Sequence, residues 1–266
     1  MVELPVVLGI KPGQHPQVAA FAVAEALRRQ TSLRVVHAGD DLPVSRALFD
    51  DVRQVVAARG DAVDVDFVVI DGDPAETLLD EAHLASTVVL GADDGPWAAR
   101  ALGTEIAHAV ATHADAPVIV VPRTVPGGRL RSCVVAALDF GGEVDAELAY
   151  ALETADRQHE PLHVIYAAGP TSDYPTRRNR WYHLEDTIDR WRPRYPGVQI
   201  QTAVEPGNPV HTCVIASAGA SLLVVGQPAA EHPRLASRTV VARLLRRSSA
   251  PVAVVPVGYA RMGTPA

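Results

Sequence analysis

Lysine occurs once in this 266-residue sequence, at Lys11, and cysteine twice, at Cys133 and Cys213. Two cysteines so far apart are too few for a disulfide framework or a cysteine zinc cluster, and both lie in apolar segments that read as buried. No apolar run reaches the ~18 residues a membrane-spanning helix needs. The opening Met-Val-Glu-Leu-Pro lacks the basic-then-apolar order of a signal peptide. Positive charge is not in surplus: 31 acidic side chains face 24 basic ones, for a net charge of −7, which disfavours binding along a nucleic-acid backbone. The sequence contains no G-x-S-x-G, P-loop or G-x-G-x-x-G. A nucleophile elbow, a Walker cradle and a dinucleotide fingerprint are therefore unsupported. The ten histidines show no metal-ligand spacing. Pro161 breaks any helix that would hold His159 and His163 on one face, and His108 and His113 diverge. These absences predict a cytoplasmic, non-catalytic protein with no membrane, nucleic-acid or metal partner.

What is present is an internal repeat. Asp115-Ala116-Pro117-Val118-Ile119-Val120-Val121-Pro122 returns as Ser249-Ala250-Pro251-Val252-Ala253-Val254-Val255-Pro256. Ser86-Thr87-Val88-Val89-Leu90-Gly91 returns as Ser221-Leu222-Leu223-Val224-Val225-Gly226, and Gly72-Asp73-Pro74 as Gly207-Asn208-Pro209. Three matches in one order at nearly one offset mean two copies of one domain. The first spans 1–124 and the second 132–258. A glycine- and proline-rich linker covers 125–131, and 259–266 form a frayed tail.

Each copy alternates short β-branched runs with helical ones. In the first copy the strands are Pro5-Ile10, Leu33-Ala38, Val63-Asp71, Thr87-Ala92 and Pro117-Pro122; the helices are His15-Gln30, Leu42-Arg59, Asp73-Ala85 and Thr104-His113. In the second the strands are Cys133-Asp139, Leu162-Ala168, Val198-Glu205, Leu222-Gln227 and Pro251-Val257. Its helices are Glu143-His159, Tyr182-Arg192, Pro209-Ala218 and Thr239-Arg247. Strands apolar on both faces in a βαβα order predict an α/β fold of two tandem copies, each a doubly wound, five-stranded parallel sheet of Rossmann-like type. The prolines bounding Pro117-Pro122 and Pro251-Pro256 suit edge strands, and pairing them within the chain, as a pseudo-dimer, would cover two apolar edges. Arg177, Arg178 and Arg180 interleave with Trp181, but Glu185, Asp186 and Asp189 offset them. That stretch reads as a solvated helix with an Asp186–Arg190 ion pair.

The Gly-x-Pro step, the glycine loop after the fourth strand and the Ala-Pro-Val-x-Val-Val-Pro strand resemble the universal stress protein family in its tandem form. The resemblance implies the five-stranded α/β sheet, pairing through the fifth strand and, in many members, ATP binding. Binding members end the first strand with an aspartate and wrap the phosphates in G-x2-G-x9-G-(S/T), where glycine lets backbone N–H groups approach an anion. Here the pattern is divided. The first copy has Ile10 and Lys11 where the aspartate belongs, then Gly91, a displaced Gly95, and Gly103-Thr104, with Asp93 and Asp94 opposing a phosphate. The second keeps Asp139 and Gly226 but closes with Arg238-Thr239. Thr104 reads equally as a helix cap and Asp139 as a turn residue. Lys11 and Arg238 read either as phosphate ligands or as solvated side chains. The implied function is a stress-response sensor or regulator with at most weak binding of ATP or another adenine nucleotide, favouring the first copy. The alternative is a ligand-free scaffold for an unidentified protein partner, with further homodimerisation open.

Overall fold

The structure, a computed structural model, describes residues 4–59, 63–92, 106–123, 133–138, 144–167, 174–228 and 238–259. The chain divides into two compact units, Met1–Arg123 and Thr124–Ala266.

In the first unit the elements run β1 (Val6–Gly9), α1 (Pro16–Arg29), β2 (Leu33–Ala38), α2 (Leu42–Arg59), β3 (Val65–Ile70), α3 (Pro74–Ala82), β4 (Thr87–Gly91), α4 (described over 106–113) and β5 (Val118–Val121). All pairings are parallel, in the order β3-β2-β1-β4-β5. Val6 opposes Leu33 on one side and Thr87 on the other. Every residue of β1, β4 and β5 is buried, as a sheet covered on both faces requires.

The second unit repeats this plan with β6 (Cys133–Leu138), α5 (Asp145–Gln158), β7 (Leu162–Ala167), α6 (Tyr174–Trp191), β8 (Ile200–Glu205), α7 (Pro209–Ser217), β9 (Ala220–Gly226), α8 (Arg238–Arg247) and β10 (Val252–Val255). Its order is β8-β7-β6-β9-β10, again parallel.

The repeat extends to single hydrogen bonds. Asp73 caps α3, its Oδ1 accepting from the amides of Ala75 at 2.9 Å and Glu76 at 3.1 Å. Asn208 caps α7 in the same way, from Val210 at 3.0 Å and His211 at 3.4 Å. In both, proline takes the first turn, where a missing N–H costs nothing. The glycine before each cap has φ near +150° (155° at Gly72, 149° at Gly207), a backbone only glycine adopts freely. Helices α1 and α5 both end on a left-handed residue, Gln30 and His159.

Four expectations need correction. Helix α6 begins at Tyr174 rather than Tyr182. Pro175 suits a first turn, but the exposed arginine run after it carries no apolar period. The signal begins only where Leu184, Ile188 and Trp191 form the buried stripe. The Trp191 indole donates to Asp145 at 3.2 Å, fastening the end of α6 to the start of α5. Among the described ion pairs of this stretch the arginine is Arg192, just past the end of α6, rather than Arg190: it meets Asp189 at 3.1 Å and Glu185 at 3.6 Å. Cys213 is buried, but Cys133, the first residue of β6, is only half-buried. Finally, Tyr259 is not frayed. Its hydroxyl donates to Glu153 at 2.8 Å and its ring meets Tyr150 edge-on at 5.3 Å.

Candidate functional site

In the first unit the strand order reverses beside β1, whose neighbours β2 and β4 lead to opposite ends of the sheet. Helices following such strands leave to opposite faces, so a crevice opens at the strands' C-terminal ends. It is there, with a volume of about 220 Å³. Its floor is Gly9, Ile10 and Lys11 at the end of β1, and one wall is Val36, His37 and Ala38 from β2. Pro74 and Leu78 of α3, Leu90 and Gly91 of β4, and Ile106 and Ala107 of α4 close it.

Gly9 is required by space. A Cβ there would lie 2.6 Å from Leu90 Cδ2 and 2.9 Å from Leu78 Cδ2, so a side chain would push two lining leucines into the crevice. The wall made by α3 is held from outside. Arg34 on β2 bonds Glu81 on α3 at 2.7 Å and also pairs with Asp66 on β3. The bond to Glu81, opposed by burial and helped by both carboxylates, holds its guanidinium still more firmly protonated. Within helix α1 the buried Glu25 carboxylate takes Arg29 at 2.6 Å and Arg28 at 2.8 Å. Burial works to raise the Glu25 pKa, but the charges and hydrogen bonds of both arginines prevail and hold it below the usual carboxylate range.

Of the residues singled out by sequence, the structure brings Ile10, Lys11 and Gly91 into one crevice. In the second unit Gly226 ends β9, while Arg238 and Thr239 open α8. Gly95, Gly103, Thr104 and Asp139 lie outside the described residues.

Two residues escaped sequence reasoning. His37 is a polar residue at the end of an apolar strand, a legible signal given that sites of this fold lie at strand C-terminal ends. The other is Glu147, in the first turn of α5. Its carboxylate lies against Gly226, with Cδ 2.8 Å and Cγ 3.2 Å from where a Cβ would stand. In the first unit the matching neighbour of Gly91 is Val18, its Cγ2 at 3.1 Å. A methyl group and a carboxylate thus occupy the same place in the two copies. Among the described residues no group of three histidine, cysteine or acidic side chains is placed to hold a metal ion, and no described helix is long and apolar enough to cross a membrane.

Five parallel strands in this order, made twice and opening a crevice at the switch point, define a tandem Rossmann-like α/β protein. Residues 5–122 match the profile of the Universal stress protein family, and the chain as a whole resembles members of that family. It is similar to a universal stress protein of Mycobacterium tuberculosis, 27% identical over 224 residues that cover 76% of this chain and 78% of the relative. A second from that organism is 28% identical over 221 residues, covering 76% and 81%. Among solved structures, a universal stress protein from Archaeoglobus fulgidus superposes with a TM-score of 0.70 at 16% identity, covering 95% and 96% of the two chains. The cytoplasmic domain of a prokaryotic cation chloride cotransporter gives 0.57 at 14%, covering 95% of each. A stress protein and a transporter domain share this fold, so function has to be argued from the site.

Proposed function

We propose that this chain is a non-catalytic regulator of the universal stress protein kind, whose first crevice binds an adenine nucleotide weakly. The observation that carries the reading is the crevice at the switch point, mostly apolar and lined by Lys11 and by Gly91 at the end of β4. An apolar slot suits a base, and a cation beside a glycine strand end suits phosphate. Weakness follows from what the position of Lys11 lacks. An ammonium only donates, whereas the aspartate it replaces only accepts. Losing two or three contacts of about 1 kcal/mol each weakens binding roughly 30- to 150-fold. Among the described residues no base, nucleophile and orienting group converge on the crevice, so turnover at background level is expected.

The second unit supports the other reading, a ligand-free scaffold toward a protein partner, because Glu147 lies against Gly226 where the first unit has a methyl group. A carboxylate at that strand end repels phosphate. The protein is placed in the cytoplasm on this reading. Calorimetric titration of nucleotide-free protein with Mg-ATP tests it, with release of bound nucleotide on denaturing extraction as a companion. The expected result is one weak site, tens of micromolar or above, and no phosphate release over background. A low-micromolar or tighter constant refutes the weak-binding claim, and two equal sites refute the division of labour.

A further inference from the structure

We propose that His37 is the hydrogen-bond acceptor of the first crevice and sets its selectivity among nucleotides; this rests on the reading that the crevice takes an adenine nucleotide. His37 lies on the crevice wall and is only 7% exposed. Its Nδ1 stands 3.1 Å from the carbonyl oxygen of Ile10. A carbonyl can only accept, so Nδ1 carries the proton in that bond, and in the neutral ring Nε2 keeps its lone pair. The bond therefore fixes the tautomer and makes Nε2 an acceptor.

The position matters as much as the chemistry. Ile10 directly precedes Lys11, where an acceptor has been exchanged for a donor. His37 is the register neighbour of this strand end, one residue beyond the Gly9–Val36 pair. Beside it Gly39, at φ +154°, has no side chain; a Cβ there would come within 3.3 Å of Nε2. The glycine keeps a side chain from crowding Nε2 on that side. The second copy does not share the arrangement. There β7 places Tyr166 where β2 has His37, and Arg180 lies over the Tyr166 ring at 5.5 Å.

The chemistry demanded of a ligand is then specific: an acceptor or anion toward Lys11 and a hydrogen-bond donor toward His37. In a purine nucleotide the donor is a ribose hydroxyl or the exocyclic amino group. The full chain is titrated calorimetrically with ATP, with 2′,3′-dideoxy-ATP, which lacks the hydroxyls, and with inosine triphosphate, which lacks the amino group. His37→Phe keeps an aromatic ring without an acceptor; His37→Gln keeps one donor and one acceptor.

Wild type is expected to prefer ATP over one of the two analogues by about fivefold or more, the size of one hydrogen bond. The analogue that loses affinity identifies the donor. His37→Phe should bind ATP and that analogue alike, and His37→Gln should restore the preference. A wild type that does not discriminate overturns the proposal, even if His37→Phe fails to fold. Equal losses for all three nucleotides in His37→Phe overturn it too, because that is what a purely structural histidine gives. If wild type takes up no nucleotide, the proposed function fails with it; if it binds and His37→Phe keeps full discrimination, only the role of His37 fails.

Discussion

Replacing Gly226 with alanine tests the claim that the two strand ends have diverged in kind. The residue's backbone is not in a left-handed conformation, so space alone demands glycine. A methyl at 226 would overlap the Glu147 carboxylate, whose Cδ stands 2.8 Å and Cγ 3.2 Å from the new carbon. The side chain has to turn away, giving up its place in the first turn of α5, where the helix N-terminus favours an anion by about 0.3–1 kcal/mol. Adding the general cost of crowding a packed site, about 1–3 kcal/mol, the expected loss is roughly 1–4 kcal/mol, or about 3–16 °C in Tm for a unit of this size. Gly91→Ala is the internal control. Its new methyl would meet Val18 Cγ2 at 3.1 Å and Gln14 at 3.5 Å, so its loss should stay under about 1 kcal/mol. Thermal and urea unfolding followed by circular dichroism give both values. The decisive measurement is the cycle with Glu147→Ala: removing the carboxylate first should make Gly226→Ala nearly harmless, with a coupling of about 1–2 kcal/mol. Coupling indistinguishable from zero would refute the claim that the carboxylate fills this space.

Glu25→Gln, which removes the buried carboxylate that Arg29 meets at 2.6 Å, should cost about 3 kcal/mol near neutral pH. Because the folded Glu25 carboxyl titrates below its ordinary 4.5, its stabilisation is present above that value and lost as pH falls through the folded value. The difference in urea midpoint between wild type and variant should therefore shrink on acidification; a constant gap from pH 7 to pH 3 counts against an ionic origin. Burial pushes the Cys213 thiol up to about 12, so native protein at pH 8 should leave it unalkylated by iodoacetamide until urea unfolds the second unit. Cys133, raised by burial and by the nearby Glu160, should label slowly but ahead of Cys213. Peptide mass spectrometry reads both, and prompt native labelling of Cys213 contradicts its burial.

The fold was legible because the features that carry it are local and written twice. Apolar strands of five or six residues, Asp73 and Asn208 ahead of their prolines, and glycine before each cap all act within a few positions of themselves. A single sequence displays them without any tertiary context. The start of α6 was hidden for the converse reason: its first turns are exposed, polar and aperiodic, and only a proline marks them. At the site, Lys11 and Gly91 could be placed by alignment with the second copy. His37 and Glu147 could not be assigned work in the same way. Their meaning depends on what they face, the Ile10 carbonyl and the Gly226 backbone, and those contacts join segments far apart in sequence.

A comparison of the two copies at equivalent positions shows where selection for stability ends and other demands begin. The helix caps, the left-handed ends of α1 and α5 and the buried strand residues are kept. Among the equivalent positions that differ in character are Gly9 against Ala137, Lys11 against Asp139, Val18 against Glu147 and His37 against Tyr166. Drift in a packed sheet tends to exchange one apolar residue for another of similar volume, because polar groups buried without partners are costly. Three of these four exchanges instead alter charge or hydrogen-bonding sense. Changes of that kind alter what a crevice can recognise while leaving the sheet beneath it intact. The repeat therefore reads as one scaffold with two different strand ends, Lys11 and His37 lining the crevice of the first unit and a carboxylate set against Gly226 in the second.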